Sequence, residues 1–162
     1  MIYDSKPTTR IPTDRLRPTN DFGLPLLSSS DEGCETRTVL VVDDEPEILD
    51  LVRRRLEKSG FHVVVAADGI TATQFSIVYN PDVVILDIGM PRSDGHSVAG
   101  RMRTNASTES TPIIFLTART SDADRTRAQD AGAFAYITKP FAAEELVEAV
   151  NLALTGSDWA QG

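Results

Sequence analysis

The stretch VVILDIGMPRSDG at residues 83–95 decides the fold of this chain. Its first four residues form an unbroken apolar run, which predicts a strand buried on both faces of a parallel sheet. Asp87 ends that run, and a segment with the turn residues Pro91 and Gly95 follows. Open α/β sheets bind their ligands at the carboxyl ends of their strands. The carboxylate of Asp87 is therefore predicted to lie in a functional site.

Two further apolar runs end in polar side chains, namely Asp43 with Asp44 and Thr117, and Lys139 follows the strand-like segment Tyr136-Ile137-Thr138. Asp87 follows Asp44 by 43 positions, and Thr117 follows Asp87 by 30 positions. A parallel crossover connection needs about a dozen residues or more, so these intervals leave room for helices between the strands. The polar groups can therefore share one edge of a sheet.

Helix signals separate the predicted strands. Pro46 suits the first turn of a helix that Gly60 can end. Asp68 and Ser121 are candidate caps of the second and fourth helices, and the third helix is expected from Ser93 to about Thr104. An apolar stripe within 146–154 marks a fifth helix. This alternation predicts an α/β fold with a doubly wound, five-stranded parallel sheet and helices on both of its faces.

Composition sets limits on the class of protein. The chain has 162 residues, of which 41% are hydrophobic and 25% charged, as is typical of one globular domain. A formal net charge of −8 disfavours nucleic acid and anionic membranes, so contact with neither is expected. No stretch approaches the roughly 20 apolar residues of a transmembrane helix, and the N-terminus lacks the apolar core of a secretory signal. These features predict a cytoplasmic location.

The N-terminal segment differs from the rest of the chain. Residues 1–36 contain four of the nine prolines and show no lasting periodicity, which predicts a disordered tail. The folded domain is expected over residues 37–155. Residues 156–162 would then form a short C-terminal tail.

The strand-end motifs resemble the receiver domain of two-component response regulators over about residues 37–155. The matching segments are Val41-Val42-Asp43-Asp44-Glu45, Leu86-Asp87 with Met90-Pro91 and Asp94-Gly95, Leu116-Thr117-Ala118, and Lys139-Pro140-Phe141. Each segment is weak evidence alone, whereas all four in this order and at these intervals are strong. The resemblance implies a flavodoxin-like sheet with strand order 2-1-3-4-5.

The resemblance also implies a function in phosphorelay signalling. Asp87 would accept a phosphoryl group from a sensor histidine kinase or a histidine phosphotransfer protein. Crowded carboxylates need a neutralising cation, for which Mg²⁺ is the natural candidate. The implied metal ligands are Asp43 (largely through water), Asp44, Asp87 and the backbone carbonyl of Gly89. Thr117 and Lys139 would stabilise the phosphoryl oxygens.

A conformational switch is implied as well. Thr117 would move toward the phosphoryl group and Tyr136 would turn into the vacated space, remodelling the face formed by the fourth helix, fifth strand and fifth helix. That face is expected to bind an unknown downstream protein or a second copy of the chain. The fourth helix should move because its inward apolar residues are only Ala123, Ala128 and Ala131. The Lys139–Pro140 peptide bond is expected to be cis, and the chain to catalyse only its own phosphorylation and dephosphorylation.

Three positions depart from the family pattern. Gly89 offers no side chain that could position a hydrolytic water, and Arg119 brings a long cation to the rim of the site. These two departures predict a long-lived phosphorylated state. Ala142 stands where a helix-capping residue is usual, at a cost of about 1 kcal/mol.

Several alternatives stay open. The chain could be a stand-alone receiver or a fragment of a larger regulator, since too few residues follow the fifth helix for an output domain. It could also be an interaction module that needs no phosphorylation. A hydrolase with an Asp nucleophile would require an Asp in place of Gly89. A flavodoxin-like binding module would require a phosphate loop where the acidic residues 43–45 stand.

Overall fold

The computed structural model describes residues 36–92, 94–118 and 121–156. Strands and helices alternate along them: β1 (Thr38–Val42), α1 (Pro46–Lys58), β2 (His62–Ala66), α2 (Gly69–Val78), β3 (Val83–Asp87), α3 (Gly95–Arg103), β4 (Ile113–Thr117), α4 (Asp122–Asp130), β5 (Ala135–Thr138) and α5 (Ala143–Thr155). The five strands are parallel in the order β2-β1-β3-β4-β5. The predicted doubly wound fold and its strand order are confirmed.

The three central strands explain why helices cover both faces of the sheet. Every residue of β1, β3 and β4 is buried. Successive side chains of a strand point to opposite faces, so a continuous apolar run demands a cover on each side. Val84 and Leu86 pack in a core with α2 and α3, whereas Val83 and Ile85 pack in a second core with α1 and α5.

Side-chain caps begin three of the helices. The carboxylate of Asp68 accepts a hydrogen bond from the backbone N–H of Thr71, and Ser121 caps α4 in the same way. The prediction that α3 begins at Ser93 was wrong, because α3 begins at Gly95 and its cap is the carboxylate of Asp94. Ser93 itself lies outside the described residues.

α4 is attached to the core by little apolar surface. Ala128 is its one buried residue, and Ala131 just beyond its end is half-buried. The prediction that Ala123 points inward was wrong: Ala123 is exposed, because five residues of helix carry it well off the face that Ala128 buries. Low burial implies that α4 can move at small energetic cost.

Among the residues that the structure describes, no helix has both the length and the apolar character needed to cross a bilayer.

α5 begins without a side-chain cap, which generates a stability prediction. Ala142 is exposed, has extended backbone angles and makes no capping hydrogen bond. We expect Ala142→Thr to raise the free energy of unfolding by about 1 kcal/mol, because the hydroxyl can accept a hydrogen bond from an unpaired N–H of the first turn. Urea denaturation checks this. The isosteric control Ala142→Val lacks the oxygen and should give no such gain; equal stabilities of the two variants would contradict the account.

Candidate functional site

The in-register strands bring four polar residues to one edge of the sheet. The pairing of β1 with β3 places Asp43 next to Asp87. The pairing of β3 with β4 places Thr117 on the other side, and the pairing of β4 with β5 brings Lys139 to the same edge. The convergence inferred from chain spacing is therefore present in the folded domain.

Four carboxylates cluster at this edge. Asp43, Asp44, Glu45 and Asp87 can each offer one oxygen such that all four oxygens lie within 4.8 Å of one another. Asp43 and Asp87 are buried, while Asp44 and Glu45 are exposed. A set of oxygen donors of this kind could hold a hard divalent cation. Sequence analysis misses Glu45 as a member, although its position directly after the acidic pair was an available signal.

Lys139 is the cation that these carboxylates share. Its Nζ lies 2.7 Å from Oδ2 of Asp43 and 3.2 Å from Oε1 of Glu45, and it donates a hydrogen bond to each. Asp87 Oδ2 is 3.6 Å away, within ion-pair range but beyond a good hydrogen bond. The peptide bond from Lys139 to Pro140 is cis. One ammonium group therefore faces three carboxylates.

Backbone groups hold the remaining oxygens of the two buried carboxylates. Asp43 Oδ1 accepts a hydrogen bond from the N–H of Glu45, and Asp87 Oδ1 accepts one from the N–H of Gly89, both at 2.9 Å. A Cβ added at Gly89 would lie 3.4 Å from that Asp87 oxygen. The loop after β3 thus passes close to the predicted acceptor. Arg119, the other departure expected beside it, lies outside the described residues.

The excess of negative charge shows in the acid–base properties of the site. Burial raises the pKa of Asp43, and repulsion by Asp87 adds to this effect, although hydrogen bonds from Lys139 and Glu45 oppose it. Burial alone would lower the pKa of Lys139, but its carboxylate partners outweigh that effect and the pKa is raised. The direction for Asp43 therefore follows mainly from burial, whereas the direction for Lys139 follows from the carboxylates around its ammonium group. Added positive charge would stabilise the ionised form of Asp43.

Gly95 allows α3 to start directly behind the acceptor. A Cβ at this position would lie 2.6 Å from the carbonyl oxygen of Asp87 and 2.7 Å from the Cα of Ile88. Such distances are clashes with backbone that cannot move aside, so only glycine fits. The first residue of α3 therefore lies directly against the backbone at the end of β3.

Thr117 and Tyr136 lie on the same face of the sheet. Tyr136 pairs in register with Phe115, two residues before Thr117, and alternate residues of a strand share a face. Thr117 is fully buried, whereas Tyr136 is half-buried against the core. The guanidinium carbon of Arg125, on α4, lies 5.9 Å from the centroid of the Tyr136 ring, a cation–π distance. Tyr136 therefore links the strand layer to α4.

Comparison with known proteins places this geometry in a family. Residues 39–151 match the response regulator receiver domain. The DNA-binding dual master transcriptional regulator RpaA of Synechocystis is 38% identical over 120 residues, which are 74% of this chain and 50% of that protein. The transcriptional regulatory protein KdpE of Mycobacterium tuberculosis is 41% identical over 116 residues, or 72% and 50% of the two chains. The chain thus spans about half the length of these curated relatives.

Solved structures of response regulators share the fold of this domain. The chemotaxis protein CheY4 of Vibrio cholerae superposes with a TM-score of 0.71 at 32% identity, over 74% of this chain and 100% of that chain. A putative response regulator from Chloroflexus aurantiacus gives a TM-score of 0.71 at 33% identity, over 75% and 99% of the two chains. Both are therefore similar to this domain over nearly their whole length.

The relatives also bear on partners. The Synechocystis relative is named a DNA-binding regulator, so the expectation of no direct nucleic-acid contact gains no support from it. Receiver domains are signalling proteins and are generally not classed as enzymes. From the family match, the strand order and the polar edge of the sheet, we conclude that this chain belongs to the receiver domain family of two-component response regulators.

Proposed function

We propose that Asp87 accepts a phosphoryl group from the phosphohistidine of a sensor histidine kinase or a histidine phosphotransfer protein. The observation that carries this proposal is the surroundings of its carboxylate. Asp87 is buried at the carboxyl edge of the sheet, with one oxygen held by the N–H of Gly89 and the other facing Lys139. Three further carboxylates close around it.

The proposed step is a displacement at phosphorus. A carboxylate oxygen of Asp87 forms the new bond to phosphorus, and the bond to the donor's imidazole nitrogen breaks with its electron pair left on that nitrogen. Because an anionic nucleophile meets an anionic donor, catalysis depends on charge neutralisation and positioning. Lys139 supplies a positive charge at this edge, and the hydroxyl of Thr117 can donate to another phosphoryl oxygen.

The acidic cluster fits a divalent cation. Its donors are all oxygen, and its negative charge exceeds what Lys139 can balance. Mg²⁺ would be held directly by Asp44, Asp87 and the backbone carbonyl of Gly89, and largely through water by Asp43. When bound, it supplies positive charge to the phosphoryl oxygens. The exposed position of Asp44 supports this assignment, because Mg²⁺ keeps several water ligands.

The output of the switch would be read on the face made by α4, β5 and α5. The low burial of α4 and the contact of Arg125 with Tyr136 support this role, since a turn of the ring would alter the position of the helix. A downstream protein or a second copy of the chain would bind there. In a longer regulator of the kind its curated relatives represent, the same face would act on the rest of the protein.

The assignment of the acceptor is directly testable. We expect acetyl phosphate with Mg²⁺ to add one phosphoryl group to the wild-type chain, and we expect Asp87→Asn or chelation of the metal to abolish the addition. Intact-mass spectrometry measures the result. Asp94→Asn is the matched control, because asparagine caps a helix as well as aspartate does and position 94 lies outside the carboxylate cluster. Equal phosphoryl incorporation in Asp87→Asn and in wild type would contradict the assignment of Asp87 as the acceptor.

The metal ligands can be tested without phosphorylation. We expect Asp44→Ala to weaken Mg²⁺ binding by about tenfold or more, because it removes an exposed carboxylate of the cluster. Isothermal titration calorimetry gives the affinity. Glu47→Ala removes the same charge from the first turn of α1, outside the cluster, and should change it little. An Asp44 variant with wild-type affinity would exclude this residue as a ligand.

The lifetime of the phosphorylated state is expected to depend on Gly89. Hydrolysis requires a water placed in line behind phosphorus, and correct placement of a reactant lowers the barrier substantially. Gly89 has no side chain with which to place it, although its backbone touches Asp87. We expect Gly89→Asn to shorten the lifetime several-fold in a decay measurement at fixed Mg²⁺. Gly100→Asn, on α3 in open space, is the control; the same decay in both variants would remove position 89 from the explanation.

A further inference from the structure

We propose that Glu45 is a positioning residue for Lys139: it holds the ammonium group in the unphosphorylated domain and releases it when a phosphoryl group arrives on Asp87. This inference rests on the proposed function. It assigns to Glu45 a role that neither the family resemblance nor the metal cluster requires.

The backbone of Glu45 is fixed at the start of α1. Its N–H donates to Asp43 Oδ1 at 2.9 Å, and its carbonyl oxygen accepts hydrogen bonds from the N–H groups of Ile48 and Leu49 at 3.1 Å. Pro46 follows as the first helical residue and restricts the backbone further. The backbone of Glu45 is therefore fixed by hydrogen bonds, and only its side chain can change its contacts.

That side chain does not cap its helix. Glu45 occupies the N-cap position, where a short polar side chain usually accepts a hydrogen bond from the first turn, yet it makes no capping hydrogen bond. Its Oε1 accepts a hydrogen bond from Lys139 Nζ at 3.2 Å instead. The carboxylate therefore bridges the mouth of the site, from the end of β1 to the end of β5.

The three carboxylates around Lys139 are not equivalent. Asp43 is fully buried and bonded on both oxygens, so it cannot leave the ammonium group without a large desolvation cost. Glu45 is 61% exposed, so water can replace its contact at little cost. Asp87 lies 3.6 Å from Nζ, too far for a good hydrogen bond. When phosphoryl oxygens appear on Asp87, Glu45 is the partner that Lys139 gives up.

Release has a kinetic consequence. A contact present only before phosphorylation stabilises the starting state, so its loss should accelerate phosphorylation once donor is bound. The charge of Glu45 also repels an anionic donor, which would act mainly on donor binding. Shortening the side chain separates these effects, because an aspartate at position 45 keeps the charge but draws the carboxylate back from Lys139.

The experiment compares Glu45→Gln, Glu45→Asp and the control Glu47→Gln at saturating Mg²⁺ with acetyl phosphate as donor. Glu47 is exposed in the same helical turn and is not among the described carboxylates paired with Lys139. We expect both Glu45 variants to raise the limiting rate about threefold, the size of a part-exposed ion pair. Only Glu45→Gln should also lower the donor concentration at half-maximal rate. The control should leave the limiting rate unchanged.

A second measurement needs neither metal nor donor. In the metal-free protein, NMR relaxation of the Lys139 NζH₃⁺ group should show a lower order parameter in both Glu45 variants than in wild type and Glu47→Gln. Glu45→Asp behaving as wild type in rate and order parameter would overturn the anchoring role and leave only a charge effect. A wild-type order parameter in both Glu45 variants would overturn it as well.

Failure of the proposed function would look different. If the wild-type chain and every variant took up no phosphoryl group, the proposed function and the release step would both be overturned. The order parameters would then still decide whether Glu45 holds Lys139 in the resting domain.

Discussion

The structure depends on one electrostatic constraint: a parallel sheet brings several carboxylates to one point of its edge and supplies a single ammonium group to balance them. Asp43 and Asp87 are buried there, where an unpaired charge is costly. Lys139 reaches both, and backbone N–H groups satisfy one oxygen of each. Among the described residues, the edge therefore carries more negative than positive charge. This excess of negative charge favours binding of a divalent cation, which would in turn assist phosphoryl transfer.

The rigid and movable parts of the domain follow from where apolar surface is buried. The central strands are buried throughout, and Gly95 lets α3 begin directly against the backbone of Asp87. α4 buries only Ala128 in the core, and its Arg125 makes a cation–π contact with Tyr136. The proposed phosphorylation site thus lies on the stable edge of the sheet, whereas the proposed conformational change occurs in the weakly held helix α4. A domain arranged this way can change its surface without disturbing its acceptor.

Much of this was predictable because strand ends obey a simple rule. A buried apolar run that ends in a polar residue delivers that residue to the carboxyl edge, which placed Asp87, Thr117 and Lys139 together from spacing alone. The contact of Glu45 with Lys139 was not predictable from the sequence. The two residues are far apart in the chain, and both have flexible side chains whose contacts depend on the folded arrangement of the strand ends. The inward prediction for Ala123 failed because composition does not reveal the rotation of a short helix with little apolar surface. α3 begins at Gly95 because the carboxylate of Asp94 caps it there.

Asp87 is the residue that we propose carries the phosphoryl group. Borohydride reduces an aspartyl phosphate to homoserine, so treating the phosphorylated chain and mapping its peptides by mass spectrometry identifies the modified position. The account predicts homoserine at position 87, in wild-type protein treated with donor and Mg²⁺ and not in protein treated with chelator. Homoserine at position 43 or 44, or phosphorylated protein without any homoserine, would contradict it.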